Sequence, residues 1–473
     1  MSTYQDIYRP PITIKNDLLE TYVKLYQGIR DRSDPVSWRT FIVDTKILLG
    51  SRDPQHHSLS PSKFSNAKKL VKSLTKDTYL QPLTDEIYYA LGFRNKLGKN
   101  DKKIDVLIFN GRHQSQPLLW TLADNLKNQG KIVAVVNPVG HYNDNQCRII
   151  SPFKLSSSVE KMVILASTQE IYGGNIAVLA NVIRTLANPE FSRSIKEVDI
   201  VIPMFGGSRG HRLGQSEELG YEVLEAIFNA KILTLVTEDV LAELAQTTKN
   251  PLPQIRFLSI DIHSHLYPSQ IFTSADFQFI SISPAIEIAN TLYQHLQENH
   301  LLDTPIRLIA CDKGAITRVE LLAIALLKHP QNILQNLDII YIDKVRQKAG
   351  IVDSAKVKTI IRWSLKSDQI VKEKLPLKKV DYHPYVLCYT DDMIDTGGTA
   401  KKDIELLSLK FPNTLLKVFA STHPIFSQGY GALDTIGADL YLIGNTLSPP
   451  NLLENKKIKI VDLGPAIARE IYW

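Results

Sequence analysis

The chain has 473 residues, 44% hydrophobic and 22% charged, an ordinary globular composition with ample core and room for two or three domains. A net charge of +6 and an isoelectric point near 8.9 do not call for a nucleic-acid partner over this length and suit small anionic substrates equally well. The three cysteines, Cys147, Cys311 and Cys388, lack metal-like spacing and read as reduced core thiols of a cytoplasmic protein. Met1–Pro11 is too polar for a signal peptide, and no run approaches the roughly 20 apolar residues of a membrane span.

Residues 1–103 differ from the rest. Leu18, Leu19, Tyr22, Val23 and Tyr26 mark an amphipathic helix, and Trp38–Leu49 and Ala67–Leu74 mark two more, separated by polar stretches. His56 and His57 lie in a polar loop and read as exposed rather than as metal ligands. Lys96–Lys103 is a charged linker, so a mostly helical N-terminal extension is expected to end there.

From Ile104 the pattern alternates. Val106–Phe109, Ile132–Val136, Val163–Ala166, Asp199–Pro203 and Ile232–Val236 are predicted strands. Leu118–Leu126, Asn175–Leu186 and Glu217–Phe228 are predicted helices between them. A second series of strands begins at Ile306–Ala310 and continues with Ile339–Ile342, Val386–Tyr389, Leu416–Ser421 and Leu440–Ile443. This predicts an α/β protein with two doubly wound parallel-sheet domains, 104–285 and 286–473, behind the helical extension. Packing of the last strand and helix on the first domain stays open. Ligands of such sheets gather at the carboxyl ends of the strands.

The most informative stretch is Tyr385–Thr399, YVLCYTDDMIDTGGT. An apolar strand, Val386–Tyr389, is expected to end in Asp391 and Asp392. Asp395 and the turn Thr396-Gly397-Gly398-Thr399 follow, then a helix over Ala400–Phe411 with Ile404, Leu406, Leu407 and Phe411 on one side. Two glycines let successive N–H groups point inward, and a helix N-terminus adds positive potential, so a phosphate fits the turn. The carboxylates would repel that phosphate unless they take a sugar diol or sit near Mg²⁺. A phosphorylated sugar satisfies both halves. This stretch resembles the ribose-phosphate loop shared by type I phosphoribosyltransferases and ribose-phosphate pyrophosphokinases, the PRPP synthetases.

Five other stretches carry the resemblance to the pyrophosphokinase family, from about residue 104 to the C-terminus. In Val139–Gln146, Tyr142 and Asp144 match an adenine-holding loop, with Gln146 in place of the family's glutamate; taken alone this is a polar hairpin. In Ile202–Arg212, Arg209 matches an ATP-binding arginine and Arg212 a nearby basic position, while Gly210 and His211 replace a Gln and an Asp. A guanidinium suits phosphate because its planar fork binds two oxygens at once. In Ser259–His263, His263 matches a Mg²⁺-associated histidine, and Asp261, two residues before it, faces the same way if the segment is extended. In Ala310–Arg318, Asp312, Gly314 and Arg318 match, Asp312 as a Mg²⁺ ligand, whereas Lys313, Ala315 and Thr317 depart. In Tyr341–Lys348, Lys344 and Arg346 match the Lys-x-Arg pair of a mobile loop that closes on the transferring phosphates. Thr422-His423, Ser427, Gly429, Asn445-Thr446 and the segment Ile458–Trp473 agree with the family's tail. Ile351–Pro384 is longer than in the family's usual members, and its pattern predicts a helical insertion.

The resemblance implies transfer of a diphosphoryl group from Mg²⁺-ATP to the C1 hydroxyl of ribose 5-phosphate. It assigns catalysis to Lys344 and Arg346, and ATP to Tyr142, Asp144, Gln146, Arg209, Arg212 and His263. The sugar phosphate falls to Asp391, Asp392, Asp395, Thr396, Gly397, Gly398 and Thr399, and Mg²⁺ to His263 and Asp312. The partners implied are ATP and ribose 5-phosphate, with no nucleic acid and no membrane, in a homo-oligomer, dimer or hexamer. Two alternatives remain at this point: a non-catalytic regulatory relative, and a phosphoribosyltransferase.

Overall fold

The structure is a computed structural model. It describes residues 104–110, 116–136, 139–141, 147–149, 159–168, 175–207, 215–216, 220–221, 225–263, 277–311, 314–333, 335–348, 351–376, 384–447 and 455–472. The helices expected in 1–103 lie outside the described residues. The fold is α/β, and the chain divides into two compact units. The first holds most of the chain to Ile202 together with Leu224–Leu258 and Pro268–Ile280; the second holds Pro203–Val223, Ser259–Tyr267 and Ser281–Trp473.

The first unit is built on strands β1 (Ile104–Asn110), β2 (Val133–Val136), β5 (Val159–Leu165), β6 (Glu197–Ile202), β9 (Gln254–Ile260) and β10 (Phe277–Ile282), in the order β10-β9-β6-β5-β1-β2. β3 (Val139–His141) with β4 (Cys147–Ile149) forms a separate two-stranded sheet, as do β7 (Gln215–Ser216) and β8 (Gly220–Tyr221) of the second unit. β1 pairs in parallel with β2 on one side and β5 on the other, and β5 pairs in parallel with β6. The sheet therefore winds both ways from β1. Val106–Phe109 are fully buried, as continuous apolar runs in parallel sheets are. Helix α1 (Gln116–Asn128) covers the sheet with Leu118, Leu119, Leu122, Ala123 and Leu126. Helix α2 (Ile176–Arg184) starts at Asn175, whose side-chain oxygen accepts from the N–H groups of Ala177 and Val178, satisfying two donors that a helix start leaves open.

Helix α3 (Glu225–Thr247) corrects two expectations. Ile232–Val236 is not a strand but lies mid-helix, and the helix predicted over Glu217–Phe228 begins only at Glu225, after β8. No Gly or Pro interrupts Glu225–Thr247, and Ala226, Ala230, Leu233, Thr237, Val240 and Leu244 bury one helical face. Packing with a 3.6-residue period overrides the local strand preference of a β-branched run.

A buried ionic triad ties three neighbouring strands together. Asp199 on β6 is fully buried. It receives Arg256 of β9 through Nε at 2.7 Å and Nη2 at 2.9 Å, and Lys161 of β5 at 3.2 Å. Lys161 also meets Glu197 at 2.7 Å. Each charge has its counter-charge, so the sheet interior tolerates them.

The second unit carries helices α4 (Ala285–Glu298), α5 (Ile316–Leu327), α6 (Gly398–Lys410), α7 (Gly431–Ile436) and α8 (Gly464–Ile471). Its strands are β11 (Ile306–Ala310), β12 (Asn336–Lys348), β13 (Ile351–Lys366), β14 (Gln369–Leu375), β15 (Tyr385–Ile394), β16 (Thr414–Pro424), β17 (Leu440–Gly444) and β18 (Ile458–Val461). They form one sheet in the order β14-β13-β12-β11-β15-β16-β17-β18, parallel from β12 to β18 and antiparallel across β12-β13-β14.

Two further expectations are corrected here. Ile351–Pro384 contains no helix among its described residues; β13 and β14 run through it. Val357, Ile360 and Trp363 are all buried, and their three-residue spacing imitates a helix. For Val357 and Ile360 the spacing comes from a register shift that leaves Lys358 as an extra residue and puts both in one core cluster. Ser367 and Asp368, both at positive φ (46° and 63°), turn β13 into β14, the backbone of a two-residue hairpin loop. Strand β15 also does not end at Asp391 and Asp392 but continues to Ile394, with Met393 paired to His423 of β16. No helix among the described residues is long and apolar enough to cross a membrane.

Replacing Asp199 with Asn leaves Lys161 and Arg256 without their shared counter-charge, so Asp199→Asn is expected to cost about 3 kcal/mol. Urea unfolding measures this; a loss below about 0.5 kcal/mol, the scale of exposed pairs, would mean the triad contributes no more than a surface contact.

Candidate active site

The site is assembled in the second unit, at the carboxyl ends of β11, β15, β16 and β17. β15 is buried over Tyr385–Thr390, so its position is set by packing, and Tyr389 donates through its hydroxyl to Asp403 of α6 at 3.0 Å. Strand and helix are thereby pinned together at the turn between them. Asp391 is half-buried and Asp392 buried. The Asp392 N–H donates to Asp391 Oδ1 at 3.0 Å, and the Asp392 carboxylate meets His263 Nδ1 at 2.6 Å.

A second pair lies in the same cluster. Arg318 of α5 donates through Nε to both oxygens of Asp261, at 3.0 and 2.9 Å, and the Thr422 hydroxyl donates to Asp261 Oδ2. Asp261 sits at φ 44°, a left-handed conformation that a residue other than glycine adopts when its surroundings hold it there. The segment is therefore not extended, contrary to the expectation for Asp261 and His263: Asp261 is held by Arg318, and His263 by Asp392. His423, two residues along β16 from Ser421, meets Thr446 Oγ1 at 2.9 Å, and the Thr446 hydroxyl donates to the Thr422 carbonyl at 3.1 Å.

Burial and charge act against each other in this cluster. Burial works to raise the Asp392 carboxyl, but the hydrogen bond from His263 and the Arg318 charge outweigh it and hold Asp392 well below the usual carboxylate range. Burial likewise disfavours the Arg318 cation, and the carboxylates of Asp261, Asp392 and Asp391 more than restore it. His423 is moved the other way: burial lowers its imidazole and favours the neutral ring. The result is fixed charge at a strand end in a mostly dry setting, where electrostatic interactions are strong.

Beyond the acids the chain turns through Asp395–Gly398. Asp395 Oδ1 accepts from the Ser427 N–H at 3.0 Å and from the Ser427 hydroxyl, which fixes the turn against the loop after β16. Gly397 is the N-cap of α6 at φ +78°. A Cβ there would meet Ile436 Cγ1 at 2.7 Å and the Ala432 carbonyl oxygen at 3.0 Å, so glycine is required by both conformation and space. Gly398 has nothing within 4 Å of a built Cβ. It is exposed, as is Thr396, and the first turn of α6 carries no acidic residue. That leaves the amide end of a 13-residue helix open toward an anion.

Lys344 and Arg346 lie on β12, opposite Ala355 and Val352 of β13. β11 is the one strand between β12 and β15; Ala310 pairs with Tyr341, and Ile309 with Tyr389. At strand spacings of just under 5 Å, β12 and β15 run about 10 Å apart. Lys344 thus follows Tyr341 at the same end of the sheet at which Asp391 follows Tyr389. Tyr142, Asp144, Gln146, Arg209, Arg212, Asp312 and His265 lie outside the described residues, as do the side chains of Lys344, Arg346 and Thr399.

For a metal, the described residues supply a partial set. Among them no group of three or more His, Cys, Asp or Glu side chains is placed to hold an ion. His263 is one-third exposed in its side chain and engaged at Nδ1 by Asp392. A carboxylate behind the ring is the usual support of a metal-binding imidazole.

The Asp261–Arg318–Thr422 network was only partly visible in the sequence. Arg318 and Asp261 stood out near motif residues, but nothing linked positions 57 and 161 residues apart.

Fold and strand-end cluster together define an α/β protein of the parallel-sheet class whose buried polar residues gather at the carboxyl edge. Similarity narrows this. No family model matches the chain. A curated ribose-phosphate pyrophosphokinase from Wolinella succinogenes is 24% identical over 279 residues, spanning 59% of this chain and 70% of that protein. The crystal structure of phosphoribosylpyrophosphate synthetase from Mycobacterium smegmatis matches with a TM-score of 0.51 at 17% identity, covering 78% of this chain and 97% of that one. The chain is similar to the ribose-phosphate pyrophosphokinases in sequence and has the fold of a solved PRPP synthetase, as the motifs implied.

The two glycines of the turn separate geometry from composition. Gly397→Ala is expected to destabilise by roughly 1–3 kcal/mol through strain and the Ile436 contact. Gly398→Ala should be neutral or stabilising by up to about 1 kcal/mol, because it removes a flexible residue from a helix start with open space around it. Denaturant unfolding of the two variants side by side checks the pair; equal losses would contradict the geometry.

Proposed function

We propose that the chain is a ribose-phosphate diphosphokinase, transferring the β,γ-diphosphoryl group of ATP to the C1 hydroxyl of ribose 5-phosphate to give PRPP and AMP. The observation that carries the reading is the strand-end cluster in which His263 meets Asp392 at 2.6 Å beside the Asp395–Gly398 turn. In the proposed arrangement the open N-terminus of α6, from Thr396 to Thr399, takes the 5-phosphate. Asp391, Asp392 and Asp395 face the ribose hydroxyls, with Asp391 and Asp395 the more exposed. Tyr142, Asp144, Gln146, Arg209 and Arg212 take the nucleotide. The segment 104–285 thus forms the ATP side and 286–473 the sugar side.

Mg²⁺, held by His263 and Asp312, would supply charge neutralisation on the polyphosphate. The attacking C1 hydroxyl meets the β-phosphorus, and AMP leaves. In phosphoryl transfer the protein contributes mainly position and charge. Lys344 and Arg346, arriving from β12 at the same sheet end, stabilise charge on the transferred group and on departing AMP. The protein works as a cytoplasmic homo-oligomer, as its resemblance to the pyrophosphokinases implies.

One competing reading rests on specific residues. Gln146, Gly210, Lys313 and Ala315 stand where the pyrophosphokinase pattern differs, which favours a non-catalytic regulatory relative. The retained Lys344/Arg346 pair favours catalysis, and the nucleotide stretches before residue 270 disfavour a phosphoribosyltransferase.

AMP release from ATP and ribose 5-phosphate by the full chain separates these. Product formation that depends on both substrates and Mg²⁺ is expected. Lys344→Ala and Arg346→Ala should each lower kcat by roughly 10²–10³-fold while ribose 5-phosphate affinity, from calorimetry, changes far less. Absence of AMP with intact sugar-phosphate binding would leave the regulatory reading standing instead.

A further inference from the structure

Helix α3 is apolar on two sides. One side, with Ala226, Ala230, Leu233, Val240 and Leu244, is buried in the first unit. The other carries Phe228, Ile232 and Leu235 at spacings of four and three residues. Phe228 is 59% and Leu235 65% exposed, and Ile232 is half-buried. Large apolar side chains aligned in water on one helix mark a surface that another element covers.

The rim of this stripe is acidic. Glu225, Glu238, Asp239 and Glu243 are exposed around it, against the cations Lys231 and Arg184. Arg184 is already paired with Asp239 and with Glu243. A second copy of the same face would bring these acids together, which opposes self-association. The occupant should instead be apolar on one side and basic on the other.

The chain contains such a segment. Lys63–Lys76, KFSNAKKLVKSLTK, has five lysines and no acidic residue, and Phe64, Ala67, Leu70, Val71 and Leu74 recur at helical spacing. It lies outside the described residues. The 27 residues between Lys76 and Ile104 reach on the order of 90 Å when extended, ample for any point on the unit that β1 opens. A tether of this kind gives an effective concentration near the millimolar range.

We propose that segment 63–76 docks on the outer face of α3 in its own chain. Its apolar stripe lies over Phe228, Ile232 and Leu235, and its lysines face Glu225, Glu238 and Asp239. Segment 63–76 is then a folded-back arm of the first unit, whatever reaction the chain serves.

Hydrogen–deuterium exchange on the full chain tests this. Amides of Ala67–Leu74 are expected to exchange at least tenfold more slowly than in the free 63–76 peptide. In the double variant Phe228→Glu, Leu235→Glu the protection should vanish, and 0.5 M salt should weaken it in the unmodified chain. Because both substituted side chains are exposed, the core is left intact, which the exchange of α3's own amides reports in the same experiment. Charge reversal from the other partner, Lys68→Glu with Lys72→Glu, should also abolish protection without touching α3. Peptide-like exchange in the unmodified chain, or protection unchanged by both sets of substitutions, would overturn the proposal. So would sedimentation showing that the α3 variant halves the mass while exchange over 67–74 stays the same, since a second copy would then cover the stripe.

Discussion

The second unit depends on a mutual dependence among buried charges. Asp392 stays ionised because His263 bonds it and Arg318 lies near, and Arg318 stays charged because Asp261, Asp392 and Asp391 surround it. None of these groups could be buried alone without a large desolvation penalty. Together they form a network whose members fix one another's orientation. The parts come from four places in the chain: the end of β9, helix α5, β15 and β16. The cluster therefore exists only when the unit is folded, and its geometry is set by the sheet together with the bend that follows β9.

The glycine turn inherits its geometry in the same way. β15 and α6 are joined by the Tyr389–Asp403 hydrogen bond below the turn, and Asp395–Ser427 ties the turn to the loop after β16. Gly397 lies against α7 so closely that a methyl group would not fit. An anion site made of backbone amides is useful only if the amides already point inward before the anion arrives, because ordering them on binding would cost affinity. Packing from both sides supplies that order here, so the open end of α6 is set by the core.

The sequence revealed what is local. Apolar runs gave the parallel strands, and the DDMIDTGGT corner gave the strand–turn–helix junction, because both signals lie within one element or its cap. It misled where apolar residues on two sides or a register shift disguised the period. Ile232–Val236 looked like a strand because its β-branched residues sit on a helix that is apolar on two faces. The helical pattern of Ile351–Pro384 arose in part because a register shift spaces the buried Val357 and Ile360 three residues apart. The cross-chain bonds were out of reach for a different reason. His263 and Asp392 are 129 residues apart, and no spacing rule connects residues that meet only through sheet order. The left-handed turn at Asp261 was hidden for the same cause, since it is held by partners far along the chain.

The hairpin of β13 and β14 extends the ladder that holds the strand bearing Lys344 and Arg346. In this chain β12 runs on as a strand to Lys348, paired with β13 as far as Lys348 opposite Ile351. Register shifts near Tyr341, Val345 and Arg346 mark places where the ladder bends. A strand held in a ladder has already lost most of its backbone freedom in folding. Under the proposed reaction, Lys344 and Arg346 would then meet the phosphates with less ordering still to come than a free loop would require. The loss would be reach: a pair fixed to the sheet can serve only a nucleotide whose β-phosphorus comes to it, so placing the transferred group would fall to the adenine and metal contacts.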